Sequence, residues 1–466
     1  MLSHPSAHPP LDFIPPSYSL WVLQLVHGIL PLLLRLRLWR WLPAGITQVE
    51  ATGAETLAEL YRQFQQGQMR LILAFRHVEV DDPLAGLYLL SRLVPQAARR
   101  QGIPLQLPLH AHFLYDRGMP LWGGRWLGWL LAHLGGIPVH RGRQVDRQAL
   151  GMARRLLRDG QFPFAVAPEG ATNGHSERVN PLAPGTAQLC FWCVEDLAKA
   201  GRSEAVVIVP IGIQYSYAEP SWPSLERLLQ RLEKVSGLTD SPLTGDSLAS
   251  RDANPNRNSR YAQRLCRLGH QVLAEMEKFY SQPPPSDPGA GLSFNTRLEA
   301  VFQQALQTAE HHFGLSSQGD WNVRCRRLEE AAWSQIYREE LRHPKTVSPL
   351  QRGLLDWKAQ QAALFMQPMR LVESCVAVRE EYLLEKPSFE RLAETALILF
   401  DVLARLQGEA YPARPRLGWR RVHLTIGDPI SVTERWVNPQ KGRQEARQAV
   451  AQLTQDLQLA LESMIR

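Results

Sequence analysis

Residues 71–75 form an apolar run that ends abruptly in a histidine, three acids and a proline. Five residues without a polar interruption predict a strand that is covered on both faces of a sheet. The polar positions that follow, beginning with His77, predict the carboxyl end of that strand, where open α/β sheets bind ligands. Pro83 suits the first position of a helix, which makes Asp82 the predicted N-cap. One Asp82 oxygen would cap the helix while the other accepts the imidazole N–H.

Strands and helices alternate through the first half of the chain. Further strands are predicted at 105–109, 136–141, 162–167 and 205–215, and helices at 83–94, 147–158 and 185–199. This alternation predicts an α/β fold with a mainly parallel sheet and flanking helices. Polar residues at positions 77, 141 and 169 then follow three different strands, at one edge of the sheet.

The pattern changes to helices without clear strands between residues 218 and 415. Strand character returns at 421–426, and a final amphipathic helix is predicted over 445–464. We therefore predict three parts. They are an N-terminal segment at 1–50, an α/β domain at 51–217 that is completed by 416–466, and a large all-helical insertion of unknown role at 218–415.

The apolar segment at 20–34 is interrupted by polar residues, a glycine and a proline, and it is shorter than the about 20 residues that a spanning helix needs. Residues 35–41 then interleave arginines with leucine and tryptophan, a pattern typical of a helix in the membrane interface. We predict that residues 20–41 anchor the protein to a bilayer surface, with a helix buried against the core as the alternative. Trp126 and Trp129 fit either a lipid border or core packing.

Composition and charge narrow the class of protein. A chain of 466 residues with 44% hydrophobic and 21% charged residues is globular, with room for several domains. The net charge of +7 favours a polyanionic neighbour, either a nucleic acid or an anionic membrane surface. The five cysteines are scattered and odd in number, which indicates a reducing compartment. Cys190 and Cys193 have metal-ligand spacing without a second pair, so we interpret them as helix packing.

His77 with Asp82 is the base and orienting acid of a catalytic triad without a protein nucleophile, so the substrate must supply the hydroxyl. A solvated loop is the alternative for these few residues alone. Backbone N–H groups at Gly170 and Ala171 can stabilise an oxyanion. The sequence has no G-x-S-x-G elbow, H-E-x-x-H, Walker loop or G-x-G-x-x-G, the usual anchors of hydrolases, zinc proteases and nucleotide enzymes. We expect no metal and no tightly bound cofactor.

Four motifs in order resemble those of the glycerol-phosphate and lysophosphatidate acyltransferase family. They are His77-x4-Asp82, Gly136-Ile-Pro-Val-His-Arg141, Pro168-Glu169-Gly170 and Val209-Pro210-Ile211, and residues 424–430 are similar to the family's closing strand. The resemblance implies that His77 deprotonates the acceptor hydroxyl and that Asp82 orients it. It also implies a set of residues that bind the glycerol-phosphate end of the substrate: Arg141, Glu169, Gly170, Ala171, Thr172 and Asn173.

The resemblance implies an acyl donor that is a thioester of coenzyme A or acyl carrier protein, and a lipid acceptor, 1-acyl-glycerol 3-phosphate, in phospholipid synthesis. The net charge and the segment at 20–41 predict association with an anionic membrane surface. We expect the protein on the cytoplasmic face, as a peripheral or monotopic protein. One alternative is transfer to another lysolipid or alcohol, with a thioester or a second lipid as donor. The other is a non-catalytic protein that binds lipid or nucleic acid, although no recognised nucleic-acid module occurs and we expect no nucleic-acid partner.

The chain departs from the family's motifs at several positions. Arg76 and Glu79 stand where the family often has asparagine and serine. Thr172 replaces a phosphate-binding arginine, and together with Asn173 it can donate hydrogen bonds but brings no charge. Other arginines are candidates for the missing cation: Arg76, Arg143 and Arg178. The departure concerns the phosphorylated acceptor more than acyl transfer itself.

Overall fold

The computed structural model describes residues 6–37, 42, 44–140, 146–238, 255–280, 292–375, 378–409, 412–437 and 442–465. These residues form two compact units. The sheet unit comprises the described residues of Phe13–His140, Val145–Pro220 and Gly418–Arg466. The helical unit comprises mainly the described residues of Ser221–Leu417, together with those of Met1–Asp12.

The strands all belong to the sheet unit. They are β1 (Ile46–Thr52), β2 (Met69–Phe75), β3 (His112–Asp116), β4 (Gly136–Val139), β5 (Phe164–Val166), β6 (Ala205–Pro220), β7 (Gly418–Ile426) and β8 (Ile430–Ser431). Their order in the sheet is β1-β7-β6-β2-β5-β3-β4, with β8 paired to β6. Strands β6, β2, β5, β3 and β4 are parallel, whereas β7 and β8 run antiparallel to β6. The predicted mainly parallel α/β sheet is confirmed.

Seventeen α-helices are present among the described residues. They are α1 (Leu20–Arg35), α2 (Ala54–Gln65), α3 (Asp82–Tyr88), α4 (Val94–Gln101), α5 (Met119–Gly123), α6 (Arg125–His133), α7 (Arg147–Asp159), α8 (Gly185–Lys199), α9 (Trp222–Val235), α10 (Pro255–Tyr280), α11 (Phe294–Phe313), α12 (Trp321–Ile336), α13 (Pro349–Phe365), α14 (Gln367–Cys375), α15 (Glu380–Glu385), α16 (Phe389–Leu406) and α17 (Arg443–Glu462). A π-helical turn, Leu89–Leu93, joins α3 to α4, and short 3₁₀ turns occur at Glu339–Arg342, Pro344–Thr346 and Thr433–Arg435.

Strand β2 lies at the centre of the sheet and is covered on both faces, as its unbroken apolar sequence predicts. Leu71 and Leu73 pack into a core that includes residues of α1 to α4. Ile72 and Ala74 pack into a second core, which includes residues of α7, α8 and α17. Because neighbouring strand residues point to opposite faces, one apolar run supplies both cores.

The strand predicted at 105–109 is wrong. The backbone there is irregular, and β3 begins only at His112. Pro104 precedes this stretch and Pro108 lies within it, and since proline has no N–H it cannot donate to a sheet ladder. The other predicted strands fall on β2, β4, β5, β6 and β7, and the predicted helix at 185–199 is α8.

The helical unit contains α9 to α16 and, among its described residues, no strand. Buried ion pairs join helices that follow one another along the chain. Arg264 on α10 contacts Glu233 on α9 at 2.8 Å between nitrogen and oxygen, and Arg324 on α12 contacts Glu310 on α11 at 2.8 Å. Such pairs are costly to break when buried, because removal of one partner leaves an uncompensated charge. These two ion pairs join α9 to α10 and α11 to α12.

Candidate active site

The histidine that follows β2 is held through its backbone by the loop that follows β5. Strands β2 and β5 are parallel neighbours, so their carboxyl ends meet at one edge of the sheet. The N–H of His77 donates to Oε1 of Glu169 at 2.8 Å. The carbonyl of His77 accepts from the N–H of Asn173 at 3.3 Å, and the carbonyl of Val78 accepts from Gly174 at 3.0 Å. The His77 backbone is thus fixed on both sides, while its side chain is 21% exposed and accessible to a substrate.

Nδ1 of His77 lies 3.0 Å from Oδ2 of Asp82. Because a carboxylate oxygen accepts, the imidazole carries its proton on Nδ1 and leaves Nε2 as the basic nitrogen. The same Oδ2 accepts from the N–H groups of Val78 and Glu79 at 2.6 and 3.0 Å. Oδ1 accepts from the hydroxyl of Tyr215 at 2.7 Å. Asp82 is buried, so these donors replace water around its carboxylate and hold it beside the ring.

The prediction that Asp82 caps the following helix is wrong. Helix α3 already includes Asp82, Asp81 occupies the N-cap position, and no side chain caps the helix. The Asp82 carboxylate turns back toward residues 78–79, whose N–H groups and the neighbouring imidazole supply donors. Pro83 lies in the first turn, as predicted. The predicted contact between the Asp82 carboxylate and the His77 imidazole is present. Oδ1 of Asp82 accepts from the Tyr215 hydroxyl and not from the helix.

Glu169 and Asn173, which the resemblance assigns to substrate binding, form hydrogen bonds within the chain. Oε2 of Glu169 accepts from the N–H of Asn180 at 2.9 Å and from Nδ2 of Asn173 at 3.1 Å. Burial raises the pKa of Glu169, whereas the hydrogen bond from the His77 N–H and the charge of Arg76 act in the opposite direction. Both side chains support the loop on which His77 rests, and their contact with a substrate stays a prediction.

The turn at Gly170 presents two exposed residues beside this loop. Gly170 has a φ of +75°, which glycine adopts without strain, and its N–H donates to the carbonyl of Ala167 at 3.1 Å. The predicted oxyanion role of the Gly170 N–H is therefore wrong, because that bond closes the turn. Ala171 and Thr172 are exposed, and in the described part of the chain their N–H groups meet no acceptor. An oxyanion role for the Ala171 N–H stays a prediction.

Of the arginines considered for phosphate binding, Arg76 is excluded by its surroundings. It is 2% exposed, and its guanidinium donates to three backbone carbonyls within residues 175–178. Its role is to hold that loop against β2, so its suggested contact with a substrate is wrong. Arg178 is partly exposed and stays a candidate. Arg141 and Arg143 lie outside the described residues.

The sequence does not assign a role to the buried contacts of Asp81. Oδ2 of Asp81 accepts from the N–H of Ala44 at 3.0 Å and forms an ion pair with the guanidinium of Arg420. Oδ1 lies 3.2 Å from the hydroxyl of Tyr215. Asp81 has no exposed surface. Asp81 is therefore more than a neighbour of Asp82, because its carboxylate is the buried counter-charge of Arg420.

A signal for Arg420 is present in the sequence of β7. Arg420, Val422, Leu424 and Ile426 alternate with more exposed positions and share the buried face of the strand. A period of two places a cation in line with apolar residues, which indicates that it meets a buried carboxylate. Nothing local to the strand identifies which carboxylate that is.

The two cysteines with metal-ligand spacing lie on the buried face of α8. Cys190 and Cys193 are free and pack into the core beneath the sheet. Burial raises the pKa of the Cys193 thiol to about 12, so it stays protonated, whereas a metal requires the thiolate. The interpretation as helix packing is confirmed.

One side of α1 is buried in the sheet unit and the other presents large apolar side chains to solvent. Trp21, Leu25 and Leu32 are 61%, 55% and 52% exposed. Trp129 on α6 is 46% exposed, and its ring lies 6.4 Å from that of Trp21. We call these four residues the α1/α6 face. Contiguous exposed apolar surface of this kind marks an interaction site. In the described part of the chain, each helix is too short or too polar to span a lipid bilayer.

The comparisons with known proteins bear on the middle of the sheet unit. A family model described as Acyltransferase, the family of glycerol-phosphate and lysophosphatidate acyltransferases, matches residues 110–214. The match spans β3 to most of β6 and includes the turn at Gly170, but it begins after His77 and Asp82. No curated protein matches the chain.

Proposed function

We propose that this chain transfers an acyl group from a thioester to the hydroxyl of a glycerol-phosphate-type lipid, because residues 110–214 match the model of the Acyltransferase domain. The domain supports acyl transfer in lipid metabolism in general, and the acceptor we propose is 1-acyl-glycerol 3-phosphate. The observation that carries the proposal is the 3.0 Å contact between His77 and Asp82 at the carboxyl edge of the sheet.

His77 is the general base in this proposal. Its Nε2 removes the proton of the acceptor hydroxyl as the oxygen attacks the thioester carbonyl, and the carboxylate of Asp82 stabilises the imidazolium that forms. The tetrahedral intermediate then expels the thiol of coenzyme A or acyl carrier protein, and the imidazolium returns the proton to the sulfur. An ester and a free thiol result, and the base is regenerated. No protein nucleophile, metal or tightly bound cofactor takes part in these steps.

The exposed turn at Ala171 and Thr172 supports binding of the acceptor or the oxyanion. Its N–H groups, which have no acceptor in the described part of the chain, can donate to a developing oxyanion or to a phosphate oxygen. We propose that Arg141 supplies the charge for the phosphate, since a planar guanidinium binds two phosphate oxygens at once.

A second candidate is acyl transfer to a neutral lysolipid or alcohol, with a thioester or another lipid as donor. It is favoured by one observation, the threonine at position 172 where the family usually has arginine. The turn that runs from Gly170 to Gly174 contains no cation at all. Charged hydrogen bonds to phosphate are about twice as strong as neutral ones, so a turn without cations selects less sharply for a phosphorylated acceptor.

We further propose that the protein acts at an anionic membrane surface on the cytoplasmic side, as a peripheral or monotopic protein. The α1/α6 face supports this, because tryptophan and leucine side chains insert into the boundary between headgroups and acyl chains. Arg35 and Arg125 are exposed on α1 and α6, and the net charge of +7 adds attraction to anionic lipids.

The experiment is an acyl-transfer assay with a panel of acceptors. Purified full-length protein is incubated with a radiolabelled acyl thioester of either coenzyme A or acyl carrier protein. The acceptors are lysophosphatidate, glycerol phosphate, neutral lysolipids and a fatty alcohol. The extracted lipids are then separated. The proposal expects a labelled diacyl product from lysophosphatidate. A labelled product from the neutral acceptors alone favours the second candidate, and no product from any pair contradicts acyl transfer from a thioester.

A further inference from the structure

A buried chain of polar contacts extends from the His77 and Asp82 pair to β7. Tyr215 on β6 places its hydroxyl 2.7 Å from Oδ1 of Asp82 and 3.2 Å from Oδ1 of Asp81. Arg420 on β7 pairs with Oδ2 of Asp81 and donates to the carbonyl of Ala44 at 2.8 Å. Its guanidinium also lies over the Tyr215 ring, 4.9 Å from the centroid. Asp82, Tyr215, Asp81 and Arg420 are all buried.

A phenol has one proton, so Tyr215 donates to one carboxylate at a time. The shorter distance, 2.7 against 3.2 Å, assigns that proton to Asp82. Burial raises the pKa of Tyr215 well above its ordinary value and the two carboxylates raise it further, so the hydroxyl keeps its proton and remains a donor. Tyr215 therefore fixes the Asp82 oxygen that the imidazole does not use.

The charge of Arg420 determines which of the two carboxylates accepts the hydrogen bond from the Tyr215 hydroxyl. Burial lowers the pKa of Arg420, but its acidic neighbours, of which Asp81 contributes most, together raise the pKa by more, so the guanidinium stays charged. Asp81 is then compensated by Arg420 and by the Ala44 N–H, so it does not compete for the hydroxyl. The full negative charge of Asp82 is left for the imidazolium that forms during transfer.

From these contacts we infer that Tyr215 and Arg420 are positioning residues for the His77 and Asp82 pair, acting through Asp82 and Asp81 respectively. The inference rests on the proposed acyl transfer. Arg420 lies beyond the helical unit in sequence, more than 200 residues after the end of the segment that matches the family model. The closing strand β7 thereby contributes to the site as well as to the sheet.

Other charged groups also face His77 and have to be kept constant in a test. Glu169, in the loop after β5, accepts from the His77 N–H, and Arg76 at the end of β2 lies 4.0 Å from that carboxylate. Glu79 follows in the same turn as His77. None of these groups is altered in the variants below, so any change in pH dependence comes from the Tyr215 and Arg420 contacts.

The first test is Tyr215→Phe, with Tyr61→Phe as the matched control. Tyr61 is a buried tyrosine of α2 whose hydroxyl donates to the His110 carbonyl at 3.1 Å, away from Asp82. We expect Tyr215→Phe to lower kcat by about 10- to 100-fold, which corresponds to one hydrogen bond to a charged group. The KM for the acceptor should stay unchanged, because Tyr215 is buried and its hydroxyl contacts Asp82 and Asp81. Tyr61→Phe should lose thermal stability to a similar degree but keep kcat.

The second test is a charge cycle of Arg420→Gln, Asp81→Asn and the double variant. Without Arg420 the uncompensated Asp81 carboxylate favours the imidazolium form of His77, so the acid limb of the kcat/KM profile should move to higher pH by about one unit. The double variant removes one positive and one negative charge, so the net charge near His77 equals that of the wild type. Its acid limb should therefore return toward the wild-type position. A residue that merely supports the fold would not produce this reversal.

The possible outcomes distinguish failure of this inference from failure of the proposed acyl transfer. If wild-type protein transfers no acyl group, the proposed function fails. If wild-type protein is active but Tyr215→Phe and Tyr61→Phe have equal kcat values, the Tyr215 role is overturned. If the acid limb stays in place in Arg420→Gln, or stays displaced in the double variant, the Arg420 role is overturned. Should Arg420→Gln fail to fold, Arg420→Lys keeps the charge and is expected to leave the acid limb in place, and a displaced limb would contradict the inference.

Discussion

Oε1 of Glu169 accepts a hydrogen bond from the backbone N–H of His77 at 2.8 Å. This contact joins the loop after β5 to His77, the candidate base at the end of β2. Glu169, a residue of the Pro168-Glu169-Gly170 motif, thereby has a structural role within the protein. Glu169 has two further donors on Oε2, from Asn173 and Asn180. A carboxylate surrounded by donors in this way is a support for His77, so its loss should move the histidine.

We therefore predict that Glu169→Gln lowers kcat with little change in the acceptor KM. A glutamine amide retains one accepting oxygen but turns N–H groups toward donors, which should cost about 1 to 3 kcal/mol of unfolding free energy. The measurements are steady-state kinetics and chemical denaturation. A large rise in KM at constant kcat would instead show that Glu169 binds the acceptor, as the family resemblance implies.

Substitution by asparagine should have different effects at Asp82 and at its neighbour Asp81. In Asp82→Asn the amide oxygen can accept from residues 78 and 79 while the amide N–H faces the Tyr215 oxygen, so the fold should be retained. Activity should fall by about 10²- to 10⁴-fold, because the imidazolium loses its counter-charge. Asp81→Asn leaves Arg420 buried and unpaired, which should destabilise the protein by about 3 to 5 kcal/mol.

Thermal melting and kcat measured on both variants check this dissociation. Loss of activity without loss of stability in Asp82→Asn, and a lowered melting temperature in Asp81→Asn, are the expected pair. The reverse pattern would mean that Asp81, not Asp82, orients the histidine.

The acceptor prediction concerns Arg141. Arg141→Ala should reduce kcat/KM for lysophosphatidate by an amount equivalent to about 1.5 to 3 kcal/mol, the value of a charged hydrogen bond, and Arg141→Lys should restore only part of it. A neutral lysolipid should be much less affected. The measurement is kcat/KM for both acceptors in all three proteins. An equal loss for both acceptors would assign Arg141 to the fold or to the oxyanion.

The α1/α6 face predicts membrane binding that point substitutions can test. Deletion of α1 would also remove the buried Leu23 and Leu30, so Leu25→Glu with Leu32→Glu is the sharper change. Burial of a leucine side chain is worth about 1.5 to 3 kcal/mol, so loss of two half-exposed leucines should weaken binding to anionic vesicles at least tenfold. Leu459→Glu on α17, which is 56% exposed, is the matched control.

Vesicle flotation gives the readout for these variants. The double variant should remain in the soluble fraction while the control floats with the vesicles as the wild type does. Equal flotation of both would contradict a bilayer contact at the α1/α6 face.

The local parts of the site could be predicted from the sequence, whereas the contacts between distant segments could not. The apolar run before His77 predicted β2, and the spacing of five residues predicted the pairing with Asp82, because both lie within one strand and one turn. The helix cap was wrong because α3 already includes Asp82, whose carboxylate turns back to the N–H groups of Val78 and Glu79. Its contact with Tyr215, from another strand, could not be predicted. The sequence indicated Arg420 only as a cation on the buried face of a strand. It could not identify the partner Asp81, which is 339 positions away.

The central claim, that His77 is the base for acyl transfer, is tested most directly by kcat/KM of His77→Ala beside His343→Ala. His343 is an exposed histidine of the helical unit. We predict that His77→Ala retains the wild-type fold and melting temperature and loses about 10²- to 10⁴-fold in kcat/KM, while His343→Ala keeps full activity. Near-normal turnover in the folded His77→Ala protein would contradict the account.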